Sequence, residues 1–180
     1  MKNKFSTRDL ILCSFFSALI AIGAFIRIPV PFMDYFTLQF LFVILAGMIL
    51  GANLGAISVA TYVFIGLMGF PVFAAGGGIQ YIFRPSFGYL LGFISCSFVV
   101  GLICKRFKNP TFKHYLGTCF LGMIIIYLTG FTYKYLILNL YMKDTTPLGI
   151  IILSALPLDI PGDITLCFAG AALANRLKNN

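Results

Sequence analysis

The sequence predicts an all-α integral membrane protein, built as a bundle of six transmembrane helices. Of its 180 residues, 60% are hydrophobic and 10% are charged, and the mean hydropathy is +0.99. A typical soluble domain has about 25% charged residues, so this composition indicates a chain embedded in lipid. Residues 35–83 and 85–104 contain no charge, and each stretch is long enough for one or more spans of about 20 residues. These apolar runs are continuous, which favours helices over the alternating strands of a barrel.

Breaks in the apolar pattern place the helices along one transmembrane domain that covers residues 1–180. Pro29 and Pro31 end the first helix, because proline removes a backbone donor and restricts its neighbour. Glycines at 51–55 predict a tight turn between the second and third helices. Pro157 and Pro161 interrupt the last third, which predicts a short re-entrant or interfacial piece before the final helix. The predicted helices cover residues 10–28, 37–50, 56–69, 86–104, 113–138 and 160–177, with outward loops at 29–36, 70–85 and 139–159.

The distribution of lysine and arginine predicts the orientation of this bundle. Six helices place both termini on one side of the membrane, and nine of the 13 basic residues lie on that side. The other side has four, which are Arg27, Arg84, Lys134 and Lys143. Cytoplasmic loops carry the excess of basic residues, so we expect cytoplasmic termini in a multi-pass protein of the cell membrane. The net charge of +8 then lies beside the anionic inner leaflet and does not indicate a nucleic-acid partner.

A glycine-rich segment between the third and fourth helices is the first candidate ligand site. Gly76, Gly77 and Gly78 are consecutive, and residues without a side chain let the backbone approach a ligand closely. Arg84 follows, and a guanidinium holds a carboxylate through two parallel hydrogen bonds. The alternative for Arg84 is a side chain that reaches from a helix end to lipid headgroups. The predicted orientation places this segment on the outer side.

Asp163 is the most informative acid in a chain that has no glutamate. In one interpretation it stabilises the first turn of the last helix, just behind Pro161. In the other it accepts hydrogen bonds from the N–H groups of a ligand, since a charge at the centre of a membrane helix costs about 2.5 to 3.5 kcal/mol and tends to be functional. Both interpretations stay open from the residues alone.

Further candidates for the same site are an amide and three aromatic rings. Gln39, near the outer end of the second helix, offers both amide donors and an acceptor. Phe73, Tyr81 and Tyr89 are candidates for an apolar wall with hydroxyl groups at its edge. The chain has 20 phenylalanines and 9 tyrosines, so most of its aromatic residues must pack in the bundle or face lipid.

The first helix carries small residues at a spacing that lets another helix approach closely. Ser14 and Ala18 are four residues apart, and Ser17 and Ala21 repeat the spacing. Packing within the bundle is the usual use of such a pattern. Contact with an external partner helix is the functional alternative.

Several classes of protein are disfavoured by what the sequence lacks. The five cysteines are scattered through apolar segments and His114 is the only histidine, so neither a disulfide framework nor a zinc site is predicted. No Gly-x-x-x-x-Gly-Lys-Ser/Thr sequence is present, which excludes a P-loop ATPase. Asp159 and Asp163 are the remaining pair for acid–base chemistry, and no catalytic motif accompanies them. We therefore expect no metal, no cofactor and no enzymatic activity, with a small membrane enzyme as the alternative.

Five stretches of the sequence carry a family resemblance. They are Thr37-Leu38-Gln39, the glycine turn at 47–55, the proline and glycine segment at 69–78, the Pro-x-x-Gly-Tyr stretch at 85–93 and Pro161-Gly162-Asp163. In this order, and over nearly the whole chain, they resemble the BioY family, the biotin-binding S components of energy-coupling factor (ECF) transporters. The resemblance implies a six-helix ECF S-component fold that captures biotin from outside. It also implies docking on a transmembrane coupling protein driven by two cytoplasmic ATPases, and the family's Ala-x-x-x-Ala contact with that protein matches Ser14 and Ala18.

The ligand that the resemblance implies suits the candidate residues. The ureido ring of biotin has two N–H donors and a carbonyl, for which Asp163 and Gln39 are expected partners. The thiophane ring and valeryl chain are apolar and suit the glycine segment at 76–78 with Phe73, Tyr81 and Tyr89. The carboxylate suits Arg84.

Three positions depart from residues that some family members carry. This chain has Gly77 where they have asparagine, Leu90 where they have arginine and Leu166 where they have lysine. The assignment of the carboxylate to Arg84 therefore comes from side-chain chemistry. An S component for another vitamin, such as thiamine, is the alternative within transport.

Overall fold

The computed structural model describes residues 6–29, 35–155 and 158–179, the side chains of residues 178 and 179 excepted. Within these ranges the chain is built from α-helices, and the predicted all-α class is confirmed. The helices are α1 (Thr7–Phe25), α2 (Gln39–Leu50), α3 (Ala52–Leu67), α4 (Phe87–Cys104), α5 (Phe112–Leu136), α6 (Leu148–Ala155) and α7 (Asp159–Asn179). A short antiparallel ladder of β1 (Arg27–Ile28) with β2 (Phe36–Thr37) closes the connection between α1 and α2.

Among the described residues, three helical segments are long and apolar enough to cross a membrane, namely Thr7–Phe25, Phe87–Cys104 and Phe112–Tyr141. A fourth crossing results if α6 and α7, which meet at a bend of 50°, count as one span. The apolar helices α2 and α3 are shorter. At a rise of about 1.5 Å per residue, the 12 residues of α2 extend about 18 Å, which is less than the hydrocarbon core of about 30 Å.

The centre of the bundle is α4, which contacts α2, α3 and α5. Helix α1 packs on α2 and α3, and α7 packs on α5 and α2. Glycine allows a close approach between α2 and α4, because the backbone of Ser97 occupies the space that a side chain at Gly47 would need. Ile44 and Cys96 are fully buried between these helices, so the core is filled by aliphatic and sulfur-containing side chains.

Two helices begin at capping boxes, in which the N-cap side chain and a side chain three residues later satisfy each other's backbone donors. In the first, Asp9 N donates to Ser6 Oγ at 3.2 Å and Ser6 N donates to Asp9 Oδ2 at 3.0 Å. Thr111 and His114 form the second, at the start of α5. These caps explain why α1 begins before residue 10 and give the single histidine of the sequence a structural partner.

The turn between α2 and α3 is shorter than the sequence pattern predicts. Gly51 has a φ of +81°, a conformation that glycine adopts at low cost. It is the single residue between the two helices. Helix α3 therefore begins at Ala52, before the predicted start at residue 56.

The glycine-rich segment folds back on the end of α3. Gly78 N donates to Gly66 O at 2.7 Å. Phe73 and Gly76 exchange two backbone hydrogen bonds, of 2.9 and 3.1 Å. A single 3-10 turn, Ile79–Phe83, then leads towards α4.

The requirement for glycine in this segment comes from its own backbone. Gly76 and Gly78 have φ values of +115° and +103°, in a region that residues with a side chain rarely occupy. A Cβ atom at Gly77 would overlap the carbonyl oxygen of Phe70. The three glycines therefore allow the segment to pack against itself.

The region in which the sequence predicts a re-entrant or interfacial piece contains α6. Helix α5 continues into one π-helical turn, Ile137–Tyr141, and α6 packs against α5 before the bend into α7. Asn139 ties the turn to the following loop, because its Nδ2 donates to Thr146 O at 3.0 Å. Residues 30–34 and 156–157 of the predicted outward loops lie outside the described residues.

Candidate functional site

A cavity of about 600 Å³ opens at one end of the bundle, where α2, α4 and α7 begin and α5 ends. Its volume falls within the range of about 300 to 1,000 Å³ that is usual for small-molecule sites. The lining residues are Tyr35, Phe36, Thr37, Gln39, Phe40, Ala74, Tyr81, Pro85, Ser86, Tyr89, Leu90, Phe93, Ile126, Tyr127, Lys134, Leu138, residues 144–147, Ile150, Ile151, Ser154, Asp159 and Asp163. Helices that are distant in the sequence therefore share one largely apolar space with a few polar groups.

One polar pair joins α5 and α7 at the cavity wall. Tyr127 donates its hydroxyl to Asp163 Oδ2 at 2.8 Å. The ring of Tyr89 on α4 meets the Tyr127 ring edge-on, with 6.2 Å between centroids. Gly130 leaves the space that the Tyr89 ring occupies. Three helices thus bring hydroxyl and carboxylate groups together.

Several buried polar atoms have no hydrogen-bond partner in the described part of the chain. They include Ser86 Oγ, the Tyr89 hydroxyl and both carboxylate oxygens of Asp159, and these three residues line the cavity. Buried polar groups in proteins are nearly always hydrogen-bonded, and leaving one unpaired costs about 1 to 3 kcal/mol. These atoms are therefore groups that a polar ligand or water would satisfy.

Lys134 and Asp159 are the charged residues among the buried ones that the structure describes, with 8% and 6% of their surfaces exposed. They lie on α5 and α7 and line the same cavity, close enough for an electrostatic interaction. Buried charges are usually stabilised by an opposite charge. With Asp163 and the exposed Asp144, the lining combines one basic residue with three acidic ones.

Gln39, the first residue of α2, is held by a chain of hydrogen bonds. Its Nε2 donates to the Tyr62 hydroxyl at 2.7 Å, and Tyr62 donates to Val72 O at 3.1 Å. Thr37 Oγ1 donates to Gln39 Oε1 at 3.1 Å. These bonds tie the start of α2 to the glycine-rich segment and fix the amide at the cavity wall.

Arg27 connects two parts of the cavity rim. It donates a hydrogen bond to Ala74 O, and its guanidinium carbon lies 4.7 Å from the centroid of the Tyr35 ring. Ala74 and Tyr35 both line the cavity. Arg27 therefore joins the α1–α2 connection to the glycine-rich segment.

Four of the residues that the sequence predicts for the site line the cavity together, namely Gln39, Tyr81, Tyr89 and Asp163. They come from α2, the 3-10 turn, α4 and α7. The predicted amide, tyrosine and carboxylate groups therefore surround one space, although more than 100 residues of sequence separate the first from the last.

The other predicted site residues are not among those that line the cavity. Phe73 is buried behind Tyr81, with 4.6 Å between the ring centroids, and the glycines at 76–78 belong to the loop that supports Phe73. Arg84 is exposed, and its guanidinium carbon lies 5.4 Å from the centroid of the Tyr81 ring. These residues support or flank the wall that Tyr81 forms.

The sequence pattern does not identify Lys134, Tyr127 and Ser86 as cavity residues, and it suggests Asp159 only for catalysis. A signal for Lys134 is present, because it is the one charged residue in 114–142 and charges within membrane helices tend to be functional. Tyr127 and Ser86 have no comparable signal. Their place in the site depends on which way each helix faces.

The two small-residue pairs of α1 lie on different faces. Ser17 is buried, and its Oγ donates to Ser58 O on α3 at 2.7 Å, so this pattern serves packing within the bundle. Ser14 and Ala18 are exposed, next to the exposed apolar side chain of Phe15. This second face is open to a neighbour outside the described chain.

Comparison with known proteins agrees with the motifs in the sequence. The profile of the BioY family matches residues 1–180. The "Probable biotin transporter BioY" of Lysinibacillus sphaericus is 42% identical over 177 residues, which cover 98% of this chain and 90% of that protein. The "Biotin transporter BioY" of Thermotoga maritima is 44% identical over 138 residues, which cover 76% of this chain and 78% of that protein.

A solved structure shares the fold. The crystal structure of an S-component for biotin from an ECF-type ABC transporter matches with a TM-score of 0.85 and 26% identity, covering 100% of this chain and 95% of that chain. These relatives are named as transporters rather than enzymes, and the long apolar helices indicate a membrane protein. From its profile match, its relatives and its fold, this chain belongs to the BioY family.

Proposed function

We propose that this chain is the high-affinity biotin-binding S component of an ECF vitamin importer. The observation that carries the proposal is the cavity, whose apolar walls hold an amide, carboxylates and buried polar atoms that lack a partner among the described residues. Biotin has two N–H donors, a carbonyl, an apolar ring with a chain, and a carboxylate. Each of these parts has a complementary group on the cavity wall, in a chain whose relatives are named biotin transporters.

The ureido ring is assigned to Asp163 and Gln39. Tyr127 holds the Asp163 carboxylate at 2.8 Å, so this acceptor is already oriented for the N–H groups of the ligand. An amide nitrogen carries two hydrogens, so Gln39 Nε2 retains one for the ureido carbonyl after its bond to Tyr62. The rings of Tyr81 and Tyr89 then contact the apolar middle of the ligand, and Phe73 and the glycines at 76–78 support Tyr81 from behind.

The proposed membrane topology has six crossing segments. These are α1 to α5 and the bent pair of α6 and α7, with the short helices α2 and α3 included. Nine of the 13 basic residues lie on the side of the termini, which supports cytoplasmic termini. The cavity then faces outward from the cell membrane.

The proposed partners are a transmembrane coupling protein and two cytoplasmic ATPases. The chain has no P-loop sequence of its own, so transport driven by ATP needs other subunits. The exposed Ser14 and Ala18 face of α1 suits a second membrane helix, because small residues permit close backbone approach.

Equilibrium binding of labelled biotin to the purified chain in detergent tests the proposed ligand. We expect saturable binding by the single chain, displaced by unlabelled biotin and not by thiamine. Displacement by thiamine instead would identify an S component for a different vitamin. A folded chain that binds neither vitamin would contradict the proposed capture function.

Ala18→Phe tests the proposed coupling surface. The bulky ring replaces a small residue on an exposed face, so we expect normal biotin binding, weaker assembly with the coupling protein and loss of most biotin uptake by cells. Ala172→Phe, at an exposed position on α7, is the matched control and should leave assembly and uptake unchanged. Normal assembly of the Ala18→Phe variant would rule out docking at this face.

A further inference from the structure

We infer that Lys134 binds the carboxylate of the ligand and thereby makes the site selective for an anion. The inference rests on the proposed function, because it assigns the acidic end of biotin to a residue of the same cavity. Among the described residues that line the cavity, Lys134 is the one with a positive charge. It is buried, with 8% of its surface exposed, near the end of α5. An ammonium group presents three donors to an acceptor.

The polar groups of α5 and α7 form two pairs at different positions along these helices. Tyr127 bonds to Asp163 at 2.8 Å, and Lys134 interacts with Asp159. Tyr127 and Lys134 are seven residues apart, which is about two helical turns or roughly 10 Å along α5. Asp163 and Asp159 are one turn apart on α7. A ligand with N–H donors at one end and a carboxylate at the other matches this order along the wall.

The acidic residues restrict where a ligand carboxylate is stable. Asp144, Asp159 and Asp163 line the cavity and repel a further carboxylate, and the effect is strong where water is scarce. The neighbourhood of Lys134 is where a positive charge offsets this repulsion. An anionic ligand is therefore oriented with its charged end at Lys134, and its N–H groups then lie towards Asp163.

Asp159 has a supporting role in this arrangement. Its charge stabilises the ammonium group in an apolar wall. Neither of its oxygens has a hydrogen-bond partner among the described residues, so the attraction between the two side chains acts without a hydrogen bond to Asp159.

Arg84 is the rival cation for the ligand carboxylate. It is exposed, is absent from the lining of the cavity and lies over the Tyr81 ring at 5.4 Å. Ion pairs of exposed charges are weakened by water and salt. The structure therefore favours Lys134 over Arg84.

The test compares biotin with biotinamide, in which an uncharged amide replaces the carboxylate. Equilibrium binding of both is measured for the purified full chain and for the variants Lys134→Gln and Arg84→Gln. Lys113→Gln, an exposed lysine in the first turn of α5, is the matched control. The single variant Lys134→Gln leaves Asp159 buried without its counter-charge, which opposes folding. The double variant, Lys134→Gln with Asp159→Asn, removes both buried charges and therefore tests the loss of Lys134 without this unpaired carboxylate.

We expect the unmodified chain to prefer biotin over biotinamide by at least about tenfold. Lys134→Gln should weaken biotin by a similar factor and change biotinamide by less than about threefold, so that the preference disappears. The double variant should also lack the preference, whereas Arg84→Gln and Lys113→Gln should keep it.

Four results would overturn the inference. The first is equal binding of the two ligands by the unmodified chain, and the second is a preference that persists without Lys134. The third is a preference lost in Arg84→Gln instead. The fourth is an equal loss of both ligands in Lys134→Gln, which would indicate a structural role. Absence of biotin binding by the unmodified chain would instead refute the proposed function itself.

Discussion

The glycine-rich segment and the wall formed by α5 and α7 differ in how their polar groups are satisfied. In the segment, Gly78 N reaches Gly66 O at 2.7 Å, and Phe73 and Gly76 bond to each other. On the wall, both oxygens of Asp159 lack a partner among the described residues. The consecutive glycines thus specify the shape of a backbone, whereas the unsatisfied groups on the cavity wall are the ones that we propose for ligand recognition.

Replacing Asp163 should have the largest effect on biotin affinity, because it removes a carboxylate from the wall formed by α5 and α7. In Asp163→Ala, the Tyr127 hydroxyl and a ligand N–H group both lose their acceptor. A stranded polar group costs about 1 to 3 kcal/mol, so we expect biotin to bind about 5- to 150-fold more weakly in equilibrium measurements. Thr165→Ala, at an exposed position on the same helix, should bind normally. Unchanged affinity in Asp163→Ala would remove this residue from the site.

Tyr62→Phe tests the bonds that connect the two regions. The hydroxyl lost in this variant accepts from Gln39 and donates to Val72 O, so the amide loses one of the two hydrogen bonds that hold it at the cavity wall. A hydrogen bond contributes about 0.5 to 1.5 kcal/mol net, and we expect about 3- to 10-fold weaker biotin binding. Tyr135→Phe removes an exposed hydroxyl and should have no effect. Equal affinity of the two variants would show that Tyr62 does not position Gln39.

Gly77→Ala should have the smallest effect on affinity, and it tests whether the glycine-rich segment only shapes the backbone. The added Cβ overlaps the Phe70 carbonyl oxygen, so we expect about 1 to 3 kcal/mol lower stability, measured as thermal unfolding in detergent. The folded fraction should bind biotin within about threefold of the unmodified chain. Gly117→Ala, which meets no atom within 4 Å, is the control. A much larger loss of affinity with normal stability would place the glycines in the ligand site.

The membrane class and most helices follow from the sequence, because charge-free runs and proline or glycine breaks are local signals. The rotation of each helix about its own axis, which decides which side chains face the core, does not follow from such local signals. Val63 is buried with 5% of its surface exposed, whereas its neighbour Phe64 is 63% exposed, yet both are apolar. Lipid accepts apolar side chains as readily as the core does, so no polar stripe reveals which side faces inward.

The sequence predicts the members of the candidate site whose residue type is rare in this chain or unusual at its position. Asp163 stands out in a chain without glutamate, and Gln39 is a polar residue at a helix end. Tyr127 and Ser86 are common residue types whose position depends on the packing of several helices. Lys134 carries a sequence signal, but its burial beside Asp159 depends on how α5 turns towards α7.

The length of α2 has a consequence for the energetics of import. In the proposed orientation, α2 begins at the outward cavity with Gln39 and runs towards the cytoplasmic side. The 12 residues of α2 extend about 18 Å of the roughly 30 Å that the layer measures. If the inner end of α2 reaches the cytoplasmic boundary of the layer, Gln39 lies about 12 Å below the outer boundary. On that placement, biotin beside Gln39 would have only the length of this one short helix left to cross when the proposed ATP-driven step begins.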